Sequence, residues 1–231
     1  MNHYLIVGHS SGIGQAIAQK LSAAHRVYGT HCRHRPQTLP PHTTTHFLDV
    51  LQPDPDFSFL PPALDGLVYC PGAIVLRPFA RLSQADFLND YKLQVLGAVQ
   101  VIQACLPRLK NSSRPGSIVL LSTVAVQTGF NFHSVVSASK GAIEGLTRAL
   151  AAELSPAIRV NCIAPSLTHT PLAQALLSTP EKIEAQAQRH PLKKIGSPEQ
   201  IAEAAVFLLQ DSSAWVTGQI LRVDGGISSI R

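Results

Sequence analysis

Three glycines in one short turn constrain this chain more than any other segment. Gly8-His9-Ser10-Ser11-Gly12-Ile13-Gly14 follows an apolar run, Tyr4-Leu5-Ile6-Val7, and opens an amphipathic stretch that continues to about Ala24. Strand, tight turn and helix in that order bring backbone amides and the positive end of a helix to one point, where a phosphate fits. Glycine at positions 8, 12 and 14 removes side chains that would hold the backbone away from a pyrophosphate. Gly8, Ser10, Ser11, Gly12, Ile13 and Gly14 are therefore predicted to cradle the phosphates of a dinucleotide.

Beyond the turn, short apolar runs alternate with helical patterns. Val27–Thr30, His46–Leu48, Leu67–Cys70, Ser117–Leu121, Arg159–Ile163 and Gln219–Val223 read as further strands, and Val135–Leu154 as a long helix. Near-continuous apolar strands separated by helices belong to a parallel sheet covered on both faces. The prediction is an α/β chain, one domain over 1–231, with a doubly wound Rossmann-type fold and a seven-stranded parallel sheet. Arg35–Thr45 carries three prolines and Gln52–Pro62 four. Proline breaks the helical hydrogen-bond ladder, so both stretches are expected to be irregular connections.

Composition excludes several classes of function. A hydrophobic content of 45% with 14% charged residues describes a globular chain. No apolar run approaches the roughly 20 residues of a membrane span. The first strand starts at Tyr4, which leaves no room for a signal peptide, and the four cysteines show no C-x-x-C spacing. A cytoplasmic protein with reduced thiols is expected. The net charge of +5 is spread out, with only Arg33-His34-Arg35 clustered, which is too little for nucleic acid. The ten histidines fall in no metal-ligand spacing, so no metal is predicted.

The second strand runs into Thr30-His31-Cys32-Arg33. An NAD-selective site places a carboxylate there to accept from the ribose hydroxyls. Here Arg33, with His31, is placed to pair with a 2′-phosphate, so NADP(H) is favoured over NAD(H).

Over essentially its whole length the chain resembles the short-chain dehydrogenase/reductase family. Gly8, Gly12 and Gly14 match that family's T-G-x-x-x-G-x-G motif, with Val7 in place of the threonine. Asp49-Val50 resembles the adenine-binding Asp-Val pair, Val223-Asp224-Gly225-Gly226 the C-terminal signature, and Gly196-Ser197-Pro198-Glu199-Gln200-Ile201-Ala202 the helix start that precedes it. Asn161 to Pro171, with Pro165, Thr168 and Thr170, is similar to the Asn-x-x-x-Pro-Gly segment that cradles the nicotinamide, although Ser166 replaces its glycine. Tyr69-Cys70-Pro71-Gly72 stands for the family's Asn-Asn-Ala-Gly, where Gly72 keeps room for the cofactor.

The resemblance also implies an Asn-Ser-Tyr-Lys tetrad, of which only Lys140 is intact. Gln94 falls in the asparagine's place, Thr123 in the serine's and Val136 in the tyrosine's. Lys140, Thr123 and Gln94 are the expected catalytic residues. Valine has no proton to give, whereas general acid catalysis contributes about 10²–10⁴-fold. Tyr69 and His133 are weighed as replacement donors; Ser137, about 100° around the helix from Val136, is a poorer one.

Two functions follow. One is an NADP(H)-dependent oxidoreductase that transfers hydride to a carbonyl, enone or imine of a small-molecule substrate, using a non-standard proton donor. The other is a catalytically silent nucleotide-binding subunit that supports an active family partner. The resemblance further implies a homo-oligomer, dimer or tetramer, built on the helices over Val135–Leu154 and Phe87–Leu106, with Gly145 and Ala149 allowing close helix approach. An apolar lid over Pro171–Arg189 is expected to set specificity.

Overall fold

The computed structural model describes residues 1–230. Its strands are β1 (His3–Val7), β2 (Arg26–His31), β3 (Thr43–Phe47), β4 (Gly66–Tyr69), β5 (Gly116–Leu121), β6 (Ile158–Pro165) and β7 (Ile220–Val223). They form one wholly parallel seven-stranded sheet in the order β3-β2-β1-β4-β5-β6-β7, the doubly wound arrangement expected. The helices are α1 (Gly12–Leu21), α2 (Gln84–Tyr91), α3 (Gly97–Lys110), a short α4 (Ala125–Thr128), α5 (Ser134–Leu154), α6 (Pro180–Gln188) and α7 (Pro198–Leu209).

Alternation along the strands divides the core into two. Leu5, Val7, Leu67, Tyr69, Ile118, Leu120, Val160 and Cys162 face α3 and α5. Tyr4, Ile6, Val68, Val119, Leu121 and Ile163 face α1 and α7. Because both faces are covered, nearly every residue of the central strands β1, β4, β5 and β6 is buried, which is why those strands read as apolar runs, whereas the edge strands β3 and β7 are only partly covered. Among the described residues no helix is long and apolar enough to cross a membrane.

Several boundaries differ from the sequence reading. The first helix stops at Leu21, and residues 22–24 form a turn. The third strand starts at Thr43 and ends before Leu48: its β-branched Thr43-Thr44-Thr45 pairs with Val27–Gly29, only two residues past Pro41. The irregular connection is thus shorter than expected. The helix expected over Phe87–Leu106 is interrupted by a π-helical turn, Lys92–Leu96, which separates α2 from α3. α2 and α7 both begin in capping boxes, Ser83 with Asp86 and Ser197 with Gln200, the second where a helix start was expected.

The strand order reverses between β1 and β4, so the connections leaving their carboxyl ends run to opposite faces of the sheet and leave a crevice between them, the usual ligand position in such sheets. Crossing of α1 over β1 depends on Gly14. A Cβ there would overlap the carbonyl oxygen of Gly8. Gly14→Ala is accordingly expected to destabilise the fold by about 1–3 kcal/mol, read from the urea midpoint at unchanged m-value.

Candidate functional site

The crevice is lined first by the glycine turn. Gly8 and Gly12 have φ of +78° and +55°, a region that disfavours side chains. Thr30 ties the turn to β2, its Oγ1 accepting from Gly8 N at 3.2 Å and its carbonyl from His9 N at 3.0 Å. Ser11 caps α1 with extended backbone, but its hydroxyl makes no capping bond, so the first-turn amides keep their donors for an anion. Ile13 packs towards the α1–α7 core and Ser10 stays half-buried. Thr170 comes to the turn from the other side, and a Cβ on Gly12 would stand 3.3 Å from it. The turn and the segment after β6 therefore share one wall.

At the β2 end, Arg33 is exposed and makes no hydrogen bond among the described residues. His31 is more constrained: its Nδ1 lies 3.0 Å from Thr45 Oγ1, which also meets His9 Nε2 at 2.8 Å. Burial, with the nearby Arg35 and His46 cations, holds the His31 ring below its ordinary pKa. Near pH 7 the positive charge at this end therefore belongs to arginine. Buried His9 is pulled down to about 4, by burial and then by His31, and packs over Gly29, where a Cβ would overlap its ring. Asp49 accepts from Leu51 N and Gln52 Nε2, closing its own loop. Val50 is a core residue set against Gly97.

Just past β4, Gly72 marks a point where side chains from other elements meet. A Cβ on that glycine would stand 3.4 Å from Gln94 Oε1 and 3.9 Å from Lys140 Nζ. Residues from three separate elements thus converge there. Gln94 lies in the π-helical turn, whose wider coil redirects its side chain inward. Lys140 is buried on α5, and its ammonium donates to Leu121 O at 2.8 Å. Burial brings its pKa from 10.5 to about 8, against opposing pulls from Cys162, Asp90 and Cys70. Val136, one helical turn earlier, is buried as well. Thr123 is half-buried; its Oγ1 accepts from Ala125 N at 3.3 Å and keeps its proton to donate.

The candidate replacement donors fare unequally. Tyr69 is not one: its hydroxyl donates to Leu93 O at 2.6 Å, in the π-helical turn, and burial raises its pKa. Gly97 makes that possible, because a Cβ there would overlap the phenol oxygen. Ser137 donates to Ala125 O at 3.3 Å. His133 Nδ1 lies 2.7 Å from Asn131 O, with its other nitrogen outside any bond to the described residues. Past β6, Thr168 donates back to Ser166 O, and Ser166 Oγ lies 2.8 Å from His190 Nε2. That pair joins the strand end to the far end of the lid. The lid itself comprises a 3-10 turn, Pro171–Leu177, and α6. Ala173 and Leu177 pack inward while Leu172 is exposed, so the apolar face is only partly turned to the crevice.

Two site features escaped the sequence reading. One is Asp90, buried one turn before Gln94 and accepting from its Nε2 at 2.7 Å. The i, i+4 spacing of the pair was a usable signal. The other is Ser166–His190, for which a separation of 24 positions leaves no local cue. Lys140 carries a prediction. Its folded pKa of about 8 lies below the ordinary 10.5, so between those values the unfolded chain holds more protons and stability rises with pH. Relative to Lys140→Met, wild-type unfolding free energy is expected to gain about 1–3 kcal/mol across that window, read by urea unfolding at stepped pH.

A family model described as enoyl-(acyl carrier protein) reductase matches residues 60–228. The chain is similar to L-xylulose reductase of Bos taurus, 35% identical over 164 residues, which cover 71% of this chain and 67% of that protein. It is also similar to a tropinone reductase homolog of Arabidopsis thaliana, 37% identical over 158 residues, or 68% of this chain and 60% of the relative. The ligand-free aldohexose dehydrogenase of Thermoplasma acidophilum has the same fold, with a TM-score of 0.89 at 27% identity over 98% of this chain and 94% of its own. A crevice built by the glycine turn, Gly72 and Lys140, together with these matches, gives the assignment: the chain belongs to the short-chain dehydrogenase/reductase family.

Proposed function

We propose that this chain is an NADP(H)-dependent oxidoreductase acting on a small-molecule carbonyl, enone or imine, with a proton source other than tyrosine. The observation that carries the reading is the convergence of the glycine turn, Gly72, Gln94 and Lys140 on one crevice at the sheet's switch point. The residues present fit a dinucleotide. The positive φ at Gly8 and Gly12 and the free first-turn amides of α1 suit a pyrophosphate, and Arg33 suits a 2′-phosphate. Pro165, Thr168 and Thr170 would flank the nicotinamide end, and Asp49 with the Val50 backbone the adenine. Reductases among the relatives support the same class of chemistry.

When bound, the dinucleotide supplies a hydride; the chain supplies geometry and protons. Lys140 would hold ribose hydroxyls and place positive charge beside an oxygen that gains electron density. Thr123 would donate a hydrogen bond from its hydroxyl to that oxygen. Val136 walls this space with hydrocarbon, so the proton must come from the ammonium, from His133 or from water. An enone or imine, whose product anion is already stabilised or whose nitrogen is already basic, needs the least from such a site. The small residues of α5 remain open: nothing lies within 4 Å of a Cβ built on Gly145. That face suits a homodimer or homotetramer.

Valine at position 136 also favours a second reading, a nucleotide-binding subunit that supports an active family partner. One substitution separates the two. Wild-type protein is expected to bind NADPH saturably, by fluorescence titration, and to oxidise it slowly with an activated substrate. Val136→Tyr is expected to raise carbonyl reduction by about 10²–10⁴-fold. Tight NADPH binding without turnover by wild type over a broad panel, and co-purification with an active homologue, would favour the subunit. For the cofactor, Arg33→Ala should weaken NADPH binding by about tenfold or more while leaving NADH nearly unchanged. Equal losses for both would reject the 2′-phosphate assignment.

A further inference from the structure

Two buried oxygens beside the Gly72 space make no hydrogen bond among the described residues: Asp90 Oδ1 and Gln94 Oε1. A buried acceptor left without a donor costs about 1–3 kcal/mol, so paired instances at a crevice call for a physical reason. The two side chains are bonded to each other, Gln94 Nε2 donating to Asp90 Oδ2 at 2.7 Å. A carboxylate only accepts, so it must take the amide's nitrogen, and this fixes which end of Gln94 points where. The carbonyl oxygen is thereby turned to the space over Gly72, opposite Lys140 Nζ.

We propose that Asp90 is a positioning residue of the Lys140 site: its carboxylate orients the Gln94 carbonyl towards the lysine and supplies the negative charge that keeps the buried ammonium protonated. The charge balance around the lysine leads to the same residue. The groups facing it are Cys162 from β6, Asp90 from α2 and Cys70 just past β4. Burial pushes both thiols up to about 12, so near pH 7 they are neutral. Glu144, one turn further along α5, is bonded by Ser122 and faces Cys162 instead. Asp90 is the acidic neighbour that remains. Its functional consequence rests on the oxidoreductase reading, because only there does a charged Lys140 serve bound oxygens; its electrostatic consequence does not.

The test uses cofactor-free protein labelled with 13C-lysine. The Lys140 resonance, assigned by its loss in Lys140→Met, is followed by NMR against pH. In Asp90→Asn, which keeps an acceptor for Gln94 but removes the charge, the Lys140 midpoint is expected to fall by about one pH unit. Asp90→Glu is expected to restore it. If Asp90→Asn does not fold, the neutral Asp90→Ser is read against Asp90→Glu in the same way. A midpoint unchanged in the neutral variant, or moved equally in Asp90→Glu, overturns the proposal. With a turnover substrate, the alkaline limb of the kcat profile should move down with the NMR midpoint, while the KM for NADPH stays within about threefold. Failure to find any substrate would count against the oxidoreductase reading, whereas the titration of free protein still decides the role of Asp90.

Discussion

The contact on which the site depends is the one between the start of α1 and the end of β1. With no side chain at position 14, the helix reaches the carbonyl of Gly8, and the strand passes into the helix within a single turn. That closeness aims the helix N-terminus at the crevice rather than past it. It also brings the turn beside Pro71, so the ends of β1 and β4 share one wall. Larger residues at position 8 or 14 would tilt α1 away from the sheet, and the amides would no longer meet at one point. The convergence of the amides on one point is thus a consequence of helix–sheet packing.

A second constraint acts at the opposite wall. Lys140 is held in an otherwise apolar layer, with Leu121, Val136 and Cys162 around it. An ammonium there is tolerated because a backbone carbonyl accepts one of its protons and an acid lies beyond Gln94. The arrangement carries an electrostatic cost that polar oxygens placed beside the ammonium would relieve.

The fold was legible because its signals are local. Glycine placement in the turn, apolar runs of strand length and the capping sequence around Ser197 all act within a few residues, and the structure shows each of them. Features settled by distant contacts were less legible. The π-helical turn that aims Gln94 has no period of its own to announce it. Val50, read as an adenine neighbour, fills a gap beside Gly97 that only the folded chain creates. His31 carries the right residue type for a phosphate partner, yet it shares a threonine hydroxyl with His9 and is partly shielded from water. In the candidate site, residue identity was readable at Lys140 and Gln94, whereas their electrostatic setting depended on Asp90, a helix turn away.

Tyr69, Gly97 and Leu93 form a set whose members restrict one another. The phenol occupies the volume that any side chain at 97 would need, and it satisfies a carbonyl in the coil-widened turn. Replacing Tyr69 alone strands an acceptor, and replacing Gly97 alone drives two atoms into one space. Within the trio, one substitution at a time is therefore disfavoured, and a compatible change needs two positions to move together. Transplanting the β4 end into another scaffold calls for moving the helix segment along with it.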